Sequence, residues 1–258
     1  MIITIKNRQG KKLSCEFSGV GENRPAVFIV HGFKGDSSQR HIRAISESLL
    51  SAGFITVRPD LTKNPGKSYL NFEDMTYKQE LSDVEDILGY MRKRPEVDAK
   101  RIGIAGHSLG GMITAETAAN HPEIKSLATL SAVYDFKFIA KRIFMKPFER
   151  VIEDFKAKGW SSVWSKTLKK ELHIKKEFYQ DAILRSARGF APKIQCPTQV
   201  IWGSDDEAVS QSHADKYLKT IGSKIKKMEI IGGADHNYSG ESLDNVCDLV
   251  VDWFKKTL

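Results

Sequence analysis

Hydrophobic and polar positions alternate along this chain in two registers. Short apolar runs of strand length recur between longer stretches patterned for helix. Ala26-Val27-Phe28-Ile29-Val30 is continuous, β-branched and aromatic, and ends at His31-Gly32. Such a run suits a strand covered on both faces. Ile2–Ile5 and Leu13–Phe17, joined by a polar Asn-Arg-Gln-Gly turn, read as a leading hairpin. Phe54–Val57 reads as the next strand, broken by Arg58-Pro59-Asp60, and Arg101–Ala105, Ser126–Leu130, Thr198–Trp202 and Lys227–Ile231 add four more. Between them lie helix patterns over 38–51, 76–94, 109–120, 211–220 and 242–256. In the second of these Leu81, Val84, Ile87, Leu88 and Met91 share one face, and Pro95 stops it.

Strands alternating with helices predict a mainly parallel sheet covered on both sides, an α/β fold. The alternation lapses from Asp135 to Pro192, a stretch rich in Phe, Trp and Lys. There Trp160, Val163, Trp164 and Leu168 fall at helical spacing, as do Ile143, Phe144, Phe148, Val151, Ile152 and Phe155. The expectation is a core in two parts, 1–134 and 193–258, with 135–192 a helical insertion serving as a lid.

Charge sharpens that division. Phe136–Phe190 holds 14 Lys and Arg against six acidic residues, an excess equal to the +8 of the whole chain. All net positive charge therefore sits in the insertion, where it would favour anionic substrates or simply solubilise an outer face. No nucleic-acid-binding motif accompanies it. No apolar run approaches the roughly 18 residues of a membrane span. The N-terminus lacks the apolar region of a signal peptide, so a cytoplasmic protein is expected. Cys15, Cys196 and Cys247 form neither a disulfide framework nor a metal-ligand spacing, and read as reduced thiols.

The strongest chemical signal is Gly106-His107-Ser108-Leu109-Gly110-Gly111, preceded by a strand run and followed by a small-residue helix. A nucleophile on a tight strand-to-helix turn needs small neighbours, and the turn lifts its hydroxyl above the sheet. A serine hydroxyl is a weak nucleophile until a base takes its proton. Of seven histidines, His41, His121, His173 and His213 fall in helix patterns or in the insertion. His31 reads as a brace for its own loop, and the chain direction carries His107 away from Ser108. His236, in the loop after the last strand, remains as the base. The acid that fixes its tautomer comes from Gly203-Ser204-Asp205-Asp206-Glu207-Ala208-Val209, in the chain order Ser, Asp, His. Asp206 is the first choice, from the spacing Gly-x-x-Asp-x-x-Val; Asp205 is second and Asp135 a distant third. Oxyanion donors are expected from the backbone N–H of Leu109 and, in His31-Gly32-Phe33-Lys34-Gly35, that of Phe33. No His-Glu-x-x-His is present, and no Gly-x-Gly-x-x-Gly follows the first core strand, so neither a metal nor a nucleotide cofactor is expected.

Together with Glu73, Met75, Thr76, Glu80 and Asp83, these two loop motifs resemble the bacterial and archaeal α/β-hydrolases known as cinnamoyl or feruloyl esterases. The resemblance extends to dienelactone-hydrolase-like and serine-aminopeptidase-like hydrolases. It covers roughly Ala26–Asp135 and Pro192–Leu258 and is weak in the insertion. It implies the α/β-hydrolase fold, the set Ser108, Asp206 and His236, and hydrolysis of a small-molecule carboxylic ester through an acyl-serine; feruloyl or cinnamoyl esters are one substrate option, and an anionic substrate is the option that the basic insertion raises. Serine in place of cysteine at the elbow counts against dienelactone hydrolysis itself, and serine in place of aspartate against haloalkane dehalogenation. A peptidase, lactonase or thioesterase would use the same acyl-serine, so those readings stay open, as does the oligomeric state.

Overall fold

The computed structural model describes residues 1–63, 65–165 and 168–258, apart from the side chains of Ala140, Lys141, Arg142 and Phe148. Its strands are β1 (Ile2–Lys6), β2 (Lys12–Ser18), β3 (Arg24–Val30), β4 (Ile55–Asp60), β5 (Val97–His107), β6 (Ile124–Leu130), β7 (Trp160–Ser165), β8 (Lys170–Lys175), β9 (Thr198–Gly203) and β10 (Lys226–Ile231). Its helices are α1 (Arg40–Ser51), α2 (Tyr77–Met91), α3 (Leu109–Asn120), α4 (Phe136–Phe144), α5 (Phe148–Lys158), α6 (Lys176–Ala182), α7 (Gln211–Thr220) and α8 (Ser242–Thr257). Eight strands form one sheet in the order β1-β2-β4-β3-β5-β6-β9-β10. The pairs β1–β2 and β2–β4 are antiparallel, and every pair from β4 onward is parallel. This is the mainly parallel, helix-covered sheet that the alternation predicts, in the α/β-hydrolase arrangement that the resemblance implies.

Each face of the sheet is sealed by the apolar stripe of its helices. Val27 and Ile29 of β3 pack under Ile42, Ile45 and Leu49 of α1 and Val246, Val250 and Phe254 of α8. Ala26, Phe28 and Val30 point the other way, into the cluster of Val84, Ile87 and Leu88 of α2 and Met112 and Ile113 of α3. That is why β3 reads as an unbroken apolar run: alternate side chains feed two cores. Each fully buried Ile, Leu or Phe contributes about 1.5–3 kcal/mol. The helix α2 begins where Thr76 accepts from the Gln79 N–H at 3.1 Å, an N-cap.

The structure corrects the sequence reading at two places. Arg58-Pro59-Asp60 does not end β4: Cys15 pairs with Pro59 and Ser14 with Asp60. Beyond Val57 the opposite edge of β4 has left β3, so proline's missing N–H interrupts no second ladder. The second correction lies in the inserted segment, which holds a hairpin as well as helices. β7 pairs antiparallel with β8, Ser162 facing His173 and Val163 facing Leu172. Gly159, at φ 79°, ends α5 in the left-handed conformation. After it burial alternates, with Ser161, Val163 and Ser165 inside and Trp164 outside. Trp160 and Trp164 are four apart, a spacing that fits a helix turn and a strand's single face equally well. Phe148, also read into the helical stripe, has its side chain outside the described residues.

Candidate active site

Four loops leave the carboxyl ends of parallel strands of the sheet: after β3 and β5, and, across β6, after β9 and β10. Ser108 stands at the turn from β5 into α3 with φ 56° and ψ −118°, a conformation that costs about 1–3 kcal/mol for a non-glycine residue. Main-chain bonds hold it there. Its N–H donates to Leu130 O at 2.9 Å, and its carbonyl accepts from Gly111 and Val133, both at 3.1 Å. The small neighbours of the motif are required by contact. A Cβ on Gly106 would strike Gly110 O and Thr114 Oγ1, and one on Gly110 would strike the carbonyls of Val30 and His31.

The structure brings Ser108, His236 and Asp206 together. His236 Nε2 lies 3.0 Å from Ser108 Oγ, and His236 Nδ1 lies 2.9 Å from Asp206 Oδ2. A carboxylate only accepts, so Nδ1 carries the imidazole proton and Nε2 is left to accept from the serine hydroxyl. The second oxygen of Asp206 accepts from the N–H groups of Ala208 and Val209 at 2.8 and 2.9 Å. Burial pushes the Asp206 carboxyl up, but the His236 contact and these backbone bonds outweigh it and hold it below the usual carboxylate range.

Asp205 turns away, with its carboxylate exposed and accepting from Ser204 Oγ at 2.9 Å. Asp135 pairs instead with Lys216, at 3.0 Å. Leu109 opens α3 directly behind the serine, and Phe33 lies in the loop after β3. Neither N–H donates to a backbone carbonyl among the described residues, which leaves both available to an oxyanion. His31 Nε2 accepts from the Leu61 N–H at 3.2 Å and its Nδ1 donates to Gly32 O at 2.9 Å, so this ring ties its loop to the segment after β4. Sequence reasoning sets His41 and His107 aside as bases. The structure stacks both behind the site, with His107 4.6 Å from His236 and His41 4.3 Å from His107, centroid to centroid.

The inserted segment reaches the loop after β3. Phe33 stacks on Phe178 of α6 at 5.0 Å and tilts against Phe72 at 5.3 Å, and Lys34 Nζ donates to Trp164 O at 3.1 Å. Beside the Asp206 loop a cavity of about 290 Å³ opens between Phe138 and Ile139 of α4, Ala208, and His213 and Lys216 of α7.

Fold and site together define an α/β hydrolase of the esterase and lipase kind. Two family models match the chain: "BAAT / Acyl-CoA thioester hydrolase C terminal" over residues 80–236 and "Dienelactone hydrolase family" over residues 17–133. The chain belongs to the α/β-hydrolase superfamily, in the family that the first of these models describes. It is similar to a thermostable monoacylglycerol lipase of Bacillus sp. (strain H-257), 25% identical over 222 residues that make up 83% of this chain and 84% of that protein. Its fold matches the structure of ferulic acid bound to Est1E from Butyrivibrio proteoclasticus with a TM-score of 0.86 and 27% identity, over 99% of this chain and 98% of that one. It also matches a dienelactone hydrolase from Anabaena variabilis, TM-score 0.70 at 17% identity, over 100% of this chain and 97% of that one; that likeness is one of fold.

Proposed function

We propose that this chain is a serine carboxylesterase acting through an acyl-serine on Ser108, with His236 as general base and Asp206 as the acid that orients it. The observation that carries this reading is the unbroken hydrogen-bond line from Ser108 Oγ through His236 to Asp206 at the carboxyl edge of the sheet. In the first step Ser108 Oγ attacks the ester carbonyl carbon while its proton passes to His236 Nε2. The carbonyl oxygen, now an anion, takes hydrogen bonds from the N–H groups of Leu109 and Phe33, each such donor worth about 3 kcal/mol in the transition state. The tetrahedral adduct collapses as His236 returns the proton to the departing alcohol oxygen, leaving an acyl-serine. Water then gives a proton to His236 and its hydroxyl to the acyl carbon. The carboxylic acid leaves as Ser108 regains its hydrogen.

Residues 135–192 serve as the lid that selects the acyl group, with Phe138 and Ile139 of α4 supplying apolar wall to the cavity and the basic excess of the segment favouring substrates with an anionic end. Esters of aromatic acids, feruloyl or cinnamoyl, are the substrate class that fits such a wall, and the ferulic acid held by Est1E, a protein of the same fold, supports it. A second reading has its own support: the family description names acyl-CoA thioester hydrolysis, and a thioester would pass through the same acyl-serine.

The test is hydrolysis of a p-nitrophenyl ester series from acetate to decanoate, methyl ferulate and an acyl-CoA, by wild type and Ser108→Ala. Ester turnover lost in the variant is the expected result. Turnover of the thioester alone favours the second reading, and activity surviving in Ser108→Ala overturns both.

A further inference from the structure

His107, the last residue of β5, is buried, and the hydrolysis scheme above makes no use of it. Its Nε2 lies 2.7 Å from the backbone carbonyl oxygen of His236. A carbonyl only accepts, so Nε2 carries the proton and donates. The other ring nitrogen, Nδ1, is buried without a hydrogen-bond partner among the described residues. It faces Gly32, where a Cβ would come within 3.2 Å of it and within 2.9 Å of Ser108 Cβ. A ring with one nitrogen donating and the other bare is the neutral Nε2–H tautomer. Burial holds it there by pushing its pKa well below the ordinary range, and the neighbouring His41 and His236 rings add to that. His41 meets it edge-on from behind, and its own Nε2 is also buried and unpartnered.

We propose that His107 is a positioning residue for His236: its Nε2–H clamps the main chain of the base to the same backbone segment that presents Ser108. The inference rests on reading Ser108, His236 and Asp206 as the reaction centre. Asp206 orients the His236 ring, but it sits on the loop after β9, and Ser108 is the group the ring must reach. The loop carrying His236 is also held by Ala234 O, which accepts from the Asp205 N–H at 3.0 Å, by the Gly233 N–H, which donates to Ser204 Oγ at 2.7 Å, by Tyr238 Oη, bonded to Ser131 Oγ at 2.9 Å, and by Asp235, which accepts from the N–H groups of Asn237 and Ser239. None of these ties ends on the elbow itself. The His107 bond does, because His107 and Ser108 are consecutive. A shift of the His236 loop away from the serine must break this half-buried hydrogen bond, and among the described residues no other donor meets that carbonyl. The neutral tautomer serves a second end. His236 becomes a cation in each proton transfer, and a charged ring 4.6 Å away would oppose it.

The experiment compares His107→Gln, His107→Asn and His107→Phe with wild type on p-nitrophenyl acetate. Glutamine places an amide N–H near the reach of Nε2, asparagine only near that of Nδ1, and phenylalanine keeps a ring with no donor. Expected is a kcat about 10- to 100-fold lower in the Phe and Asn variants with KM within about twofold, and recovery of most of the loss in Gln. A role confined to filling space would leave Phe near wild type and Gln no better than Asn, and that result overturns the proposal. If the Phe variant fails to fold, the Gln against Asn comparison still decides. Nitrogen-15 shifts of the wild-type histidines read the clamp without turnover. Expected is His107 as the neutral Nε2–H tautomer at neutral pH; an Nδ1–H tautomer overturns the proposal whatever the kinetics. A wild type that neither hydrolyses any ester nor labels at Ser108 with a fluorophosphonate fails the reading of the site itself, a result separable from the tautomer.

Discussion

The ring of Phe33 lies flat on that of Phe178, 5.0 Å apart and 18° from parallel, so the loop after β3 is packed directly on the inserted segment. Phe178 is itself fully buried, with Phe136 edge-on to it at 5.4 Å. The inserted segment and the strand-edge loop therefore share one aromatic cluster, and the position of the Phe33 N–H depends on both.

Truncating Phe178 separates these two dependences. Phe178→Ala removes a buried ring and should cost about 3 kcal/mol or more of stability. It also frees the Phe33 ring, so kcat on a short acyl ester is expected to fall about tenfold or more at a temperature where the variant is still folded. Thermal melts followed by steady-state assays check both. A variant with lower melting temperature but wild-type kcat would show that the loop holds its position without the insertion.

The two adjacent aspartates make a second test. Asp206 Oδ2 meets His236 Nδ1 and Oδ1 takes two backbone N–H bonds, while Asp205 is exposed and serves only Ser204. Asp206→Asn keeps the shape of the side chain but lets an amide N–H face Nδ1, which favours the wrong imidazole tautomer. A loss of about 10³- to 10⁴-fold in kcat is expected. Asp205→Asn should stay within about threefold of wild type. Similar losses from both would mean that the Asp205 side chain acts through the Ala234 contact of its own backbone.

What the sequence carried and what it hid divide along local and non-local lines. The turn at Ser108 was legible because its constraint is local: Gly106, Gly110 and Gly111 stand within three residues of it, and their lack of side chains is visible in the string. The mainly parallel character of the sheet is legible as a class, since β3 and β5 must be apolar on both faces, while the strand order comes only with the structure. The choice between Asp205 and Asp206 rested on a spacing, and the side chains' directions came only with the turn after β9. The pattern over Trp160–Ser165 suits a helix as well as a strand, because residues four apart share a face in both periodicities, and only Gly159 and the pairing with β8 separate them. The stack of His41 and His107 behind His236 was out of reach. It joins α1, β5 and the loop after β10, 41, 107 and 236 residues along the chain, with no local signal linking them.

The last prediction concerns stability against pH. Glu80 and Asp83, one turn apart on α2, are buried in the core side of the helix. Burial pushes the Glu80 carboxyl up from 4.5 to about 8, with the Asp83 charge adding, and pushes Asp83 up from 3.8 to about 6 against the amides of Asn7 and Gln79 that bond it. A carboxyl whose folded pKa lies above its unfolded one binds its proton more tightly in the folded state. Stability therefore falls as pH rises between the two values, at a slope approaching about 1.4 kcal/mol per pH unit for one group. The buried histidines act oppositely. Burial lowers His41 from 6.5 to about 4, so the unfolded chain takes up protons first and stability falls as pH drops through that interval. The melting temperature of the wild type should then decline on both sides of a maximum near neutral or slightly acid pH. Glu80→Gln keeps the size of the side chain and removes the ionisation. Its melting temperature should match wild type below about pH 4.5, exceed it progressively as pH rises toward about 8, and keep a constant lead beyond that. Parallel curves for the two proteins would mean that Glu80 ionises without penalty, through a partner or water that reaches it.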